Sequence, residues 1–504
     1  RNWNPELAKH YHRGPSGITQ QSEPEALLRV VQNFIERCRR PVFQESGDEP
    51  IPLIADCYRL EVISGTLSLD AWPNERSFHR RILSVEREKP GLLECSVQRF
   101  GGRTAKLTLL DLDHPRAPAR LLKGQRRSFS EEFRRILTRQ FPCWEVVTLS
   151  TEMSLSQSLS PVFPRAVLQR GTGQIAAIAC PTIEQEAEFL SFALLWHHQV
   201  AHRSRKRPST GLALFLPEKA GNITALRLKW LRSLHCRVYR FHSQGSAGEL
   251  DLSDLGNLET RLTPRLQLET LPEPTLRFLD SLETDYHAEC LQQANGQISL
   301  RFHGLEFARW ESGRFYITLD THQNIGQASE ENVRGLAEVL SEIRQGQSRH
   351  RSHPLFRTQP ERWLESSVRH RPEIIDASLE GRKIISQAIT YAGMDRDSID
   401  LLSATPQGRL VILELKTAED IHLPLQALDY WMRIAWHAQT GQLRSFFPGT
   451  PLSSRLPKLL LVAPAVQFHA TNSIILRYFS PEVETERVGV NLEWQQEMKI
   501  AFRL

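Results

Sequence analysis

The chain has no paired cysteines. Its seven, Cys38, Cys57, Cys95, Cys143, Cys180, Cys236 and Cys290, stand singly, and none forms a CxxC pair. This excludes a cysteine-rich zinc site and reads as reduced, mostly buried thiols in a cytosolic protein, so a cytoplasmic location is expected. No apolar run approaches the ~20 residues that a membrane helix requires. The longest, around Leu459 to Val466, contains Pro464. The opening residues, RNWNPELAKHYHRG, lack the charged-then-apolar pattern of an export signal. No GxGxxG or GxxxxGK[ST] loop is present, so Gly101-Gly102, Gly171 and Gly173 read as turn residues and the chain is not expected to power translocation itself. Lysine is scarce beside arginine, which gives each well-placed lysine more weight.

What is present is a soluble-type composition, 40% hydrophobic and 24% charged, over 504 residues. That length calls for three or four cores at ~100–200 residues each. The net charge of +5 is mild. Basic clusters at 123–127 (KGQRR), 202–207 (HRSRKR) and 349–351 (RHR) suit phosphate contacts or simply solvated loops. Periodicity divides the chain into a strand-rich α+β region at 1–150, an α/β segment at 151–255, a β-rich connecting region at 256–345 and a second α/β segment at 346–504. The expected class is therefore α/β and multidomain.

One stretch of the last segment resists a bland reading. In GRLVILELKTAEDIHLPLQALDYW (408–431) an apolar strand ends Glu414-Leu415-Lys416. Side chains alternate along a strand, so Glu414 and Lys416 share the face of Leu410 and Ile412, where that core face reaches its edge. A buried carboxylate needs a partner; Lys416 is one answer and a metal ion another. The turn Pro406-Gln407-Gly408 folds the preceding strand back, so Asp400 is expected opposite Glu414. Two such carboxylates repel unless a cation lies between them or one is protonated. Magnesium favours this oxygen environment, and Lys416 would orient or activate a water or steady charge on phosphate. Gln426 and Tyr430 fall on one face of the following helix, and Glu361 and Glu365 on one face of an earlier one.

Asp400, then Glu414-x-Lys416 after a short hairpin, then Gln426-x-x-x-Tyr430 on a helix resembles the PD-(D/E)xK nuclease superfamily, in its RecB-like QxxxY form. The helix PERWLE (360–365) is similar to the one that opens that core. The resemblance covers about the last 150 residues, and Ile399 stands where the motif's proline would. It implies a restriction-endonuclease-like mixed sheet flanked by helices and hydrolysis of phosphodiesters with magnesium or manganese. By the resemblance, Asp400 and Glu414 are metal ligands aided by the Leu415 carbonyl, and Lys416 is the catalytic lysine. Gln426 positions, Glu365 assists at the metal with Glu361 as the alternative acid, and Tyr430 closes the site wall. The expected partner is nucleic acid, DNA ahead of RNA.

The two α/β segments invite comparison with each other. A slide of 235 residues puts Gly408 on Gly173 and Trp431 on Trp196, and suggests that 151–255 is a degenerate copy of the nuclease core. Under it Asp400 meets Arg165, Glu414 meets Ala179, Lys416 meets Pro181 and Gln426 meets Ser191, so the first copy would carry no chemistry. The upstream regions are then expected to position nucleic acid or form a homodimer. The alternatives are that 160–245 binds a regulatory ligand or protein that gates the nuclease, or that the chain is a non-catalytic nucleic-acid-binding scaffold.

Overall fold

A computed structural model describes residues 23–504 apart from 46–50, 55–56, 64, 73–77, 100–103, 113–117, 204–208, 233, 243–245, 253–259, 263–270, 294–295, 320–326, 380–383 and 393–394. The expected turn at Gly101-Gly102 and most of the basic cluster at 202–207 lie outside the described residues. Among the described residues the architecture is mixed α/β with four sheets.

The N-terminal sheet is antiparallel and seven-stranded. The helix Pro24–Arg37 lays Leu27, Val31, Phe34 and Ile35 against it, the spacing of a single apolar stripe. A five-stranded antiparallel sheet between Glu289 and Ala328 is covered by the helices Glu273–Tyr286 and Glu330–Ile343.

Between these lies a six-stranded sheet built from β1 (Glu145–Ser150), β2 (Arg165–Arg170), β3 (Gly173–Ala179), β4 (Ser209–Pro217), β5 (Cys236–Phe241) and β6 (Ala247–Glu249). The strands β1, β2 and β3 pair antiparallel, β3, β4 and β5 parallel, and β6 closes antiparallel. Helix α1 (Pro118–Gln140) covers one face. It begins well before Ser128 and Ser130, the cap-type residues nearest its apolar run. Helices α2 (Glu186–Arg203) and α3 (Asn222–Leu228) cover the other face.

The last sheet holds β7 (Thr260–Leu262), β8 (Ile385–Ala392), β9 (Asp395–Ala404), β10 (Leu410–Leu415), β11 (Lys458–Pro464), β12 (Thr485–Val490) and β13 (Ile500–Arg503) in that spatial order. The three residues of β7, from the stretch expected to connect domains, form its edge. Strands β8, β9 and β10 pair antiparallel, β10, β11 and β12 parallel, and β13 antiparallel. Every residue of β10 is buried, as befits a central strand covered on both faces. Helix α4 (Pro360–His370) covers one face through Trp363, Leu364 and Val368, and helices α5 (Leu423–Gln439) and α6 (Asn472–Leu476) the other. Pro424 lies in the first turn of α5, where a missing amide proton costs nothing. At the hairpin before β10, Gly408 has φ +78, and a side chain there would collide with the Pro451 carbonyl.

Candidate active site

The β9–β10 pairing is the one that the short turn implies. Leu401 lies opposite Leu413 and Leu402 opposite Ile412. Continued one step, this register brings Asp400 level with Glu414 at the far end of the ribbon. Asp400 does not simply point away: its Oδ2 accepts a hydrogen bond from the Leu415 amide at 2.9 Å. The next amide, of Lys416, donates to Val462 O at 3.0 Å and so ties the end of β10 to β11.

Leu410 and Ile412 pack under α5, whereas Val411, Leu413 and Leu415 pack under α4. By alternation Glu414 belongs to the α5 face, and it is 3% exposed. The Lys416 ammonium stands 3.7 Å from Glu414 Oε1. From α4, Glu365 is also buried and accepts from Arg362 Nη1 at 2.9 Å. The acids thus gather round the end of β10 from two elements of the sheet and from the helix on the opposite face.

Their fields interact. Burial pushes the Asp400 carboxyl up to about 7; Lys416 opposes the shift, Glu365 and Glu361 add to it, and the Leu415 amide opposes it. Burial works against charge on Lys416, but Glu361, Glu414, Asp420 and Asp400 outweigh it and raise the ammonium above its ordinary range. Lys416 is therefore a firmly held cation at neutral pH. Among the described residues, no group of three or more His, Cys, Asp and Glu side chains is placed to hold a metal ion by itself.

Asp400, Glu414, Leu415, Lys416, Glu361 and Glu365 are thus brought together. Gln426 and Tyr430 sit one turn apart on α5 as the spacing requires. Tyr430 is buried in the core under α5, with the Arg433 guanidinium 5.8 Å from its ring centre. The Gln426 side chain takes part in no hydrogen bond or ion pair among the described residues. His422 is half-buried at the start of α5, its Nδ1 3.0 Å from Ser191 Oγ on α2 and its ring against Phe192. His197 on α2 reaches the Tyr478 hydroxyl at 2.8 Å, while His198 and His202 stack on each other.

Sequence reasoning missed the residues that seat α4. Arg344, with no exposed side chain, donates to main-chain carbonyls of Phe302, His303, Leu355, Thr358 and Gln359, and its guanidinium lies 4.8 Å from the Trp363 ring centre. Gln359, just before α4, is left-handed at φ 49. Glu289 accepts from Ser366 and Arg369 of α4 and from the Gly304 amide. Burial works against its charge, yet Arg369 and the Ser366 hydroxyl hold it below the usual carboxylate range. A Cβ on Gly304 would fall on the Arg362 carbonyl, so the five-stranded sheet and α4 meet main chain to main chain. Nothing in the local pattern of Arg344 or Glu289 distinguishes them from surface charges.

No family model and no curated protein matches the chain. Among solved structures, a repair endonuclease from Pyrococcus abyssi aligns with 46% of this chain and 99% of its own at 11% identity, with a TM-score of 0.15, a likeness too slight to bear on fold or activity.

Proposed function

We propose that the end of β10 is the centre of a metal-dependent nuclease that hydrolyses phosphodiester bonds, of DNA in preference to RNA. The observation that carries this reading is the meeting of Asp400, Glu414 and the α4 acids around the Lys416 ammonium, at the end of the central strand β10.

The donor set fits a hard divalent cation. Its atoms are carboxylate and carbonyl oxygens, and one or two carboxylates suffice for magnesium when water and substrate phosphate complete the shell. The negative charge that drives Asp400 toward protonation is the charge such a cation would neutralise. Asp400 and Glu414 would hold magnesium or manganese, with the Leu415 carbonyl and Glu365 in support. When bound, the ion supplies Lewis-acid polarisation of the phosphate and a more acidic water.

The chain's own residues do the rest. Lys416, fixed as a cation by four surrounding acids, stabilises negative charge on the phosphate oxygens as it develops, in a setting where solvent screens it weakly. Gln426 offers both a donor and an acceptor to position the scissile phosphate.

The test is digestion of plasmid, single strands and RNA by the purified chain with magnesium, manganese or chelator. Lys416→Ala and Glu414→Ala are each expected to lower the rate by about 10²-fold or more, the usual effect of removing a charge-stabilising group. Cleavage that persists in both variants, or in chelator, refutes the assignment.

A further inference from the structure

Apart from its edge strand β7, the last sheet shares one pairing order with the six-stranded sheet: three strands antiparallel, three parallel, then an antiparallel closing strand. Each places a long helix after its third strand and a short one after its fourth. The last rung of the central strand is the same in both. Cys180 donates its amide to Phe215 O at 2.8 Å, as Lys416 does to Val462 O at 3.0 Å. This equivalence aligns Lys416 with Cys180 and Glu414 with Ile178, one residue away from the pairing that the 235-residue slide suggests. The sheet register puts Arg165 opposite Ile178, just where Asp400 faces Glu414. Acid, acid and lysine are replaced by arginine, isoleucine and cysteine.

The two halves also meet symmetrically. Leu231 and Phe479, each the third residue past its short helix, form an antiparallel bridge. It is flanked by reciprocal bonds, Arg232 N to Tyr478 O at 2.7 Å and Ser480 N to Trp230 O at 2.8 Å. Pairing of equivalent residues with each other marks a two-fold axis, the signature of an isologous interface. Around it each long helix packs on the other half's short one. Arg227 of α3 clasps Asp429 of α5 at 2.8 and 2.9 Å, and His197 of α2 reaches Tyr478 beyond α6. The apolar residues of α2 and α5 join one continuous core.

We infer that the chain is an internal pseudo-dimer with one live half, and that it cuts a single strand of duplex DNA per binding event, leaving a nick. The inference rests on the nuclease reading above. The strands of a duplex are related by local two-fold axes, so a two-fold protein with two centres addresses both strands. Here the second position, where a partner's centre would lie, is filled by the half with Arg165. That guanidinium donates to the Ser160 carbonyl and lies over the Trp196 ring, so it serves the fold and repels a metal cation. The face through which a second chain would dock α5 is already covered. In each cut one water adds its oxygen to phosphorus, one phosphorus–oxygen ester bond breaks, and a proton from that water goes to the departing alkoxide oxygen, which leaves as a hydroxyl.

Supercoiled plasmid in molar excess over the chain, with magnesium or manganese, tests this directly. Open circles are expected first, with linear DNA only after a lag as independent nicks coincide. Sedimentation is expected to give one chain, 57.8 kDa. The Glu414→Ala chain is expected to leave supercoils intact. Linear DNA formed without an open-circle precursor, or a dimeric mass, overturns the inference while leaving the nuclease reading in place. Failure to cut any nucleic acid overturns the nuclease reading and the inference with it.

Discussion

Replacing Asp429 by alanine strips Arg227 of its bidentate partner at the seam between the two α/β halves. The guanidinium has no exposed surface and, among the described residues, retains only the Ala187 carbonyl, 2.6 Å from Nη1. A buried charge left without its counter-ion costs about 3–5 kcal/mol. That is a large share of the ~5–15 kcal/mol that holds an ordinary fold together. Because the pair is buried, ionic strength should scarcely change the loss. Urea unfolding followed by tryptophan fluorescence is a suitable assay, since Trp230 and Trp431 pack edge to face 4.6 Å apart at this same seam. The double variant Arg227→Met with Asp429→Leu removes both charges, and its cost should fall far below the sum of the two single costs. If Asp429→Ala costs less than about 1 kcal/mol, the pair behaves as a solvent-screened surface bridge and the reasoning fails.

Two further predictions concern buried histidines and the seat of α4. Burial pushes the imidazoles of His303 and His197 down to about 4, well below the usual histidine range. A folded value below the unfolded one means that the unfolded chain binds more protons between those values, so the stabilisation is present above pH ~6.5 and is lost as pH falls toward 4. The melting temperature should drop across that window, and His303→Gln should flatten the drop; an unchanged pH profile in that variant refutes the account. Arg344→Met leaves several buried and part-buried carbonyls without their donor, a buried one costing about 1–3 kcal/mol. It should lower the melting temperature and also weaken cleavage by loosening α4; a variant with wild-type melting and activity shows that these bonds do not seat the helix.

The sequence showed the hairpin before β10 clearly, because an apolar run, a Pro-Gln-Gly turn and a second run leave few alternatives, and alternation along β10 then places Glu414 and Lys416. The strand Phe78–Lys89 was harder to see. Its sequence, FHRRILSVEREK, is charged and nearly without alternation, yet it runs between two neighbours, with Ile82 buried and its remaining described side chains less so. Pairing on both edges overrode weak local preference. Helix α1 extends back through KGQRR, where no cap residue marks its start. The buried charges were invisible for a different reason. Arg227, Asp429, Arg344 and Glu289 are satisfied by residues distant in the chain, and no window of sequence contains both partners. The same limit explains the one-residue slip in the comparison of the two halves, which ladder bonds resolve and a sliding match does not.

The close approach of Gly304 to the Arg362 carbonyl makes α4 a shared beam, resting on the last sheet through Trp363 and Leu364 and bolted to the five-stranded sheet by Glu289 and Arg344. Glu361 and Glu365 ride on that beam. A tilt of the five-stranded sheet would therefore carry Glu361 and Glu365 with it and alter their contribution to the field at Asp400, which adds to that of burial.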